Sequence, residues 1–236
     1  MIKHVLVTIL FFSAWRCGAA QELSNQAHAL YDQKQYEKAF IQYKSIENKS
    51  AATLYNMGNC CYKLAQYPRA LAYWRKADRV ANSQQHKALS ENIDALYACV
   101  KKEPATLSIA DRLSTAVQVL PFLIVQLLCI GMSLLLIIFL AQQLWRTRLW
   151  LFIGCILFDI VLIFILMVKY RDLSDERGII NTSQVSVFAL PDMQCHTLGK
   201  LTELDELKIQ QTKPGWCKIH YKELEGWVCA DKIERV

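Results

Sequence analysis

The sequence has no block of lysine and arginine, and no basic stripe interleaved with aromatics of the kind that nucleic-acid binding requires. Its net charge of +6 is mild, and much of the excess flanks apolar segments or lies on the N-terminal helices. There is no Cys-x-x-Cys and no histidine pair at metal-ligand spacing, and the five histidines are scattered. That pattern points away from a zinc or redox site. No Gly-x-Ser-x-Gly elbow, phosphate loop or dinucleotide fingerprint occurs. Asp111, Asp159 and the surface acids make no catalytic pair. The expectation is a protein without catalytic residues, metal or cofactor, and not an enzyme.

Cysteine, by contrast, is plentiful at nine. Cys17 lies in the leader and Cys129 and Cys155 in long apolar runs. Cys60, Cys61 and Cys99 lie before those runs, and Cys195, Cys217 and Cys229 after them. Odd counts in each soluble part argue against a tidy disulfide framework. Cys60 and Cys61 fall at helix packing positions and are expected to be buried thiols. A pair within the C-terminal part stays open.

Residues 1–20 read as a secretory signal peptide. Lys3 and His4 open it, Val5 to Trp15 is too short an apolar run to cross a bilayer, and Gly18-Ala19-Ala20 offers small residues for cleavage before Gln21. Arg16 beside that site leaves an uncleaved anchor as the alternative. Ala14-Trp15-Arg16 before Cys17 excludes lipidation, which needs small residues there.

Two apolar runs follow, over 117–143 and 149–168, each about as long as a bilayer-crossing helix. A short turn at 144–148 carries Arg146 and Arg148, which favour the cytoplasm. Lys169, Arg171 and Arg112 at the other ends argue weakly the other way, and the signal peptide decides for flanking domains outside the cytoplasm. Trp145 and Trp150 suit an interfacial belt. Asp159 stands mid-span, where an ionisable group is costly. Counting outward from the turn sets it opposite Ser133, and Gly131, Ser133 and Gly154 would permit close helix approach. The pair Asp159 and Ser133 is read as helix glue or as contact with a partner's membrane helix.

Before the spans, the chain over 21–103 repeats itself. Leu54, Gly58, Tyr62, Leu64, Tyr67, Ala70, Trp74 and Ala77 have the spacing of a helix–turn–helix unit. Small Gly58 and Ala70 mark where helices cross, while Leu54, Met57, Cys61 and Leu64 fill the seam. Tyr67 and Trp74 are expected to wedge into the next helix, and Pro68 suits the first turn of a helix. Leu23, Ala27, Leu30, Tyr31, Tyr36, Ala39 and Tyr43 keep the same register 31 residues earlier. Residues 83–100 make an amphipathic helix that lacks the full pattern and either caps the stack or begins a partial repeat. These residues resemble the tetratricopeptide (TPR) repeat, whose usual period is about 34. The resemblance implies a concave groove lined by the first helix of each pair. Tyr55, Asn56, Asn59, Tyr62 and Lys63 are the candidates for a peptide-binding groove, with His28 and Tyr31 (and Ser24 and Asn25) their counterparts one repeat earlier. On that reading, removing Asn59 and Lys63 should weaken a partner complex without lowering thermal stability.

Beyond the spans the period becomes two. VSVFALPD, LDELKIQQ, WCKIHY and GWVCADKI alternate between turns at Pro191-Asp192, Lys213-Pro214-Gly215 and Glu225-Gly226. The stretch 178–236 resembles a bacterial SH3 domain, a small all-β barrel, most specifically in Gly226-Trp227-Val228. Asp205-Glu206 replaces that family's usual glycine before the Leu207-x-Ile209 strand. At least one of Trp216 and Trp227 is core in so small a barrel. The candidates for a shallow groove are Phe188, Trp216, Tyr221 and Trp227.

The order of parts, with Pro68-Arg69-Ala70-Leu71-Ala72-Tyr73-Trp74-Arg75-Lys76-Ala77 and Glu91-Asn92-Ile93-Asp94-Ala95-Leu96, resembles the BatE-type proteins of bacterial aerotolerance (Bat) operons. The resemblance implies a non-catalytic inner-membrane adaptor in an envelope-stress complex, with both soluble parts periplasmic. Its implied partners are von Willebrand-type membrane proteins. The alternatives are a cell-wall sensor or anchor that binds peptidoglycan peptide, and an ion-translocating subunit using Asp159.

Overall fold

The computed structural model describes residues 21–102, 122–142 and 149–236. The expected signal peptide, Arg112, the start of the first apolar run and the expected turn with Trp145, Arg146 and Arg148 lie outside the described residues. The described helical and β parts belong to one compact unit and the two apolar helices to another.

Among the described residues, five helices precede the first apolar helix: α1 (residues 21–32), α2 (Tyr36–Ser45), α3 (Ala51–Lys63), α4 (Tyr67–Asp78) and α5 (Ser83–Val100). Their ends are set by local chemistry. Ser50 caps α3 by accepting from the Thr53 amide at 3.2 Å. Pro68 sits in the first turn of α4. Asn82 and Gln85 exchange hydrogen bonds of 2.9 and 3.0 Å at the start of α5, a capping box.

The 31-residue recurrence appears in the backbone as well as in the side chains. Lys34 and Ala65 close α1 and α3 at φ of 61° and 58°. Each donates to the carbonyl three residues back, Tyr31 or Tyr62, and the next residue donates to Leu30 or Cys61. A repeated left-handed turn of this kind folds the second helix of each pair back along the first.

The helical core runs through Ala27, Ala39, Tyr43, Met57, Cys60, Cys61, Ala70, Leu71, Trp74 and Ala77 into Leu89, Ile93 and Leu96 of α5. Trp74 shares this core with Leu89, Ile93 and Leu96 of α5. It turns back onto α3, where a Cβ on Gly58 would lie 2.4 Å from its indole. Gly58 is therefore the floor on which Trp74 rests.

The β part is one antiparallel sheet of β1 (Glu176–Ile180), β2 (Gln184–Phe188), β3 (Thr197–Thr202), β4 (Glu206–Lys213), β5 (Trp216–Tyr221), β6 (Leu224–Cys229) and β7 (Ile233–Arg235). The strand order is β3-β2-β6-β5-β4-β1-β7. Its first strand starts at Glu176, two residues before the expected boundary. Alternate residues Ile180, Val187, Leu201, Leu207, Ile209, Cys217, Ile219, Val228 and Ile233 point into one core. Gly226 lets β2 approach β6, since a Cβ there would lie 2.7 Å from the Phe188 carbonyl.

The apolar helices span Phe122–Ala141 and Leu149–Ser174. Both are long and apolar enough to cross a membrane. The second continues as helix beyond the expected end at Val168. Ser133 Oγ donates to Asp159 Oδ2 at 3.4 Å and Cys129 Sγ to Oδ1 at 3.7 Å. Gly131 and Gly154 play no part in that approach, because a Cβ on either would meet nothing within 4 Å.

Candidate functional site

The first helices of the pairs, α1 and α3, and the following helix α5 carry a line of polar side chains from helix to helix. Asn56 of α3 and His28 of α1 are joined Nδ2 to Nε2 at 3.3 Å. Asn92 of α5 donates to the Tyr55 hydroxyl at 2.9 Å and to Asn59 Oδ1 at 3.3 Å. Lys63 is exposed at the end of α3 and Tyr31 half-buried on α1, edge-on to Tyr36 with ring centres 5.1 Å apart. Sequence reasoning missed Asn92. Its offset of 33 residues from Asn59 was a usable signal, close to the period of the repeats.

Two expected groove residues are committed to the fold. Asn59 Oδ1 accepts from the Trp74 indole N–H at 3.1 Å, and the Tyr55 carbonyl accepts from the same N–H at 3.3 Å. Trp74 is 2% exposed, so Asn59 satisfies a donor that water does not reach. The expectation that Asn59 can be removed without loss of stability is corrected. Tyr62 is half-buried between Trp74 and Tyr67, with both ring separations 5.7 Å. His28 and Lys63 are exposed, while Tyr55 and Asn56 are half-buried.

Burial drives the Cys60 thiol up to about 12 and the Cys61 thiol up to about 11, with Cys61 itself adding to the shift at Cys60. Both stay protonated at neutral pH and act as small apolar fillers. The cysteines among the described residues are free thiols.

On the β part the four aromatic candidates divide. Trp227 is 6% exposed, with the Lys213 ammonium 4.8 Å above its ring, and serves the core. Tyr221 donates its hydroxyl to Asp205 at 2.8 Å, which ties it to the base of the sheet. Burial and that carboxylate both push its phenol up. Phe188 and Trp216 are half-buried and meet edge to face at 5.6 Å. They are the pair that retains surface for a ligand.

No family model matches the chain, and no curated protein matches it. Among solved structures, 25% of the chain aligns with 22% of NlpC2 from Trichomonas vaginalis, at 12% identity and a TM-score of 0.23. The aligned region is about a fifth of that protein, and a likeness this slight carries no argument about fold or function.

Proposed function

We propose that the chain is a non-catalytic adaptor of the bacterial inner membrane, with a TPR-type helical stack and a bacterial SH3-type β domain held beside two membrane spans. The observation that carries this reading is the polar line His28–Asn56 and Tyr55–Asn92, which crosses three adjacent helices. Such a line offers amide, imidazole and hydroxyl groups to the backbone of an extended peptide, with the Lys63 ammonium available to an acidic side chain or carboxylate. The repeated left-handed turns at Lys34 and Ala65 support the TPR assignment. The Phe188–Trp216 pair supplies a second, apolar contact. By its resemblance to BatE-type proteins, the chain works in a Bat-type complex with both soluble parts periplasmic, and its partners are von Willebrand-type membrane proteins.

The test is purification of the tagged full chain from gently solubilised membranes, beside a His28→Ala/Asn56→Ala/Lys63→Ala variant and a Trp216→Ala variant. Von Willebrand-type proteins should accompany the parent chain and be depleted at least severalfold with the triple variant, while both variants keep the parent melting temperature within a few degrees. Undiminished recovery with both variants would defeat the surface assignment. Co-sedimentation with purified sacculi and no membrane-protein partner would transfer the reading to a cell-wall anchor.

A further inference from the structure

The most heavily bonded polar cluster outside the inner helix face joins the helical part to the β part. Its centre is Asp205-Glu206, at the β3–β4 turn. The Arg75 guanidinium of α4 grips Glu206 with two hydrogen bonds, Nε to Oε2 at 2.9 Å and Nη2 to Oε1 at 2.7 Å. The Tyr97 hydroxyl of α5 donates to Oε1 at 2.9 Å. Lys102, just past α5, pairs with Asp205 Oδ1 at 2.9 Å and donates to Thr202 Oγ1 at 2.9 Å and to the Glu203 carbonyl. All three ammonium donors are thus spent on the β part.

Asp205 is fixed from its own side as well. Thr202 donates to its Oδ2 from the amide at 2.7 Å and from the hydroxyl at 3.1 Å, and Tyr221 donates to Oδ1. Apolar packing is continuous across the same seam. Ile179 and Leu204 of the β part are buried in one cluster with Leu71, Trp74, Ala77, Leu96 and Tyr97, and Val236 packs against it.

A stack of helical hairpins needs its last apolar face covered, since each unit buries that face only against the next. Here α5 has no second helix of its own among the described residues, and the β part packs where the α4–α5 face would otherwise meet water. We propose that the β part is the terminal cap of the helical stack. Its β3–β4 turn and its β1 and β7 strands form an interaction surface whose partner is the chain's own α4–α5 face. The two soluble parts then fold as one body and occupy one side of the membrane. The capping does not depend on the adaptor reading. The shared side depends on the apolar helices crossing the bilayer.

The test uses the full chain in detergent and hydrogen exchange read by mass spectrometry. Glu206→Gln keeps the shape and removes the charge. Amides at the end of α5 and in β1 and β7 should exchange roughly tenfold faster together, while the β2–β3 pairing is unchanged. Arg75→Lys keeps the charge and loses the paired hydrogen bonds, and should give a smaller rise in the same segments. A change confined to the β strands, or no change with either variant, overturns the cap. Cysteines introduced at Ser90 and Gln210, both exposed, should react with an impermeant maleimide from the same side of the membrane. Reaction from opposite sides overturns the shared location.

Discussion

Asn59 shows how one side chain can look like a ligand in sequence and be a strut in structure. Its Oδ1 is a hydrogen-bond acceptor for the Trp74 indole and is also reached by Asn92. Asn59→Ala leaves a buried donor with only the longer bond to the Tyr55 carbonyl, and should cost about 1–2 kcal/mol of stability in thermal or denaturant unfolding. Lys63→Ala, at an exposed position, should change stability by less than about 0.5 kcal/mol. Equal effects would show that Asn59 does not support Trp74. Spacing identified Asn59 as facing away from the seam, but spacing does not say what fills the space in front of it. The rotation of Trp74 back onto Gly58 decides that, and it depends on three-dimensional packing between α3 and α4. Trp216 and Trp227 were likewise indistinguishable by residue type. Cross-strand neighbours separate them, with Trp227 opposite Lys218 and Phe188 in the sheet interior and Trp216 opposite Cys229 near the strand end.

The helix pairs owe their geometry to the turns that join them. Ala65 holds a left-handed φ of 58° with a side chain that disfavours it. Glycine relieves that strain, at the cost of a more flexible unfolded chain. Ala65→Gly should therefore stabilise the protein by about 0.5 kcal/mol, a rise of a few degrees in melting temperature. A fall would mean that the turn is strained elsewhere. At this scale the sequence was informative. The 31-residue spacing of tyrosines and alanines located both pairs, alternation located the strands, and apolar length located the membrane-type helices. A count across the turn put Asp159 beside Ser133, and the two meet at 3.4 Å. The glycines beside them were over-read, because a small residue in an apolar helix marks a contact only when it faces the neighbour. The seam between the helical and β parts was not legible as such. Its trace was a departure from pattern, two consecutive acids where a glycine was expected, and their cationic partners lie about a hundred or more residues away in the chain.

That seam gives the whole molecule a dependence on pH. Burial raises the Glu206 carboxyl, but the Arg75 charge, the hydrogen bonds from Arg75 and Tyr97 and the nearby Arg177 outweigh it, leaving Glu206 below the ordinary carboxylate range. Asp205 is lowered in the same way, burial being outweighed by the Thr202 amide, Lys102 and Tyr221. A carboxylate held lower in the folded state contributes stability above its unfolded value, about 4, and loses it as pH falls through the folded value. Melting temperature of the full chain should be flat from about pH 5 to 7 and fall below about pH 4. Glu206→Gln should start lower at neutral pH and show a shallower acid loss. An acid profile identical to the parent's would separate the seam from the pH response.

The same seam also sets a timetable. Arg75 and Glu206 are 131 residues apart, and both apolar helices are made between them. At the rate ribosomes work, the α4–α5 face waits on the order of ten seconds for its cover. In that interval the nascent helical stack carries an unpaired guanidinium and an apolar face open to water, to chaperones and to other copies of itself. Biogenesis therefore has a vulnerable period that ends only when the β strands arrive, after both apolar helices have been made.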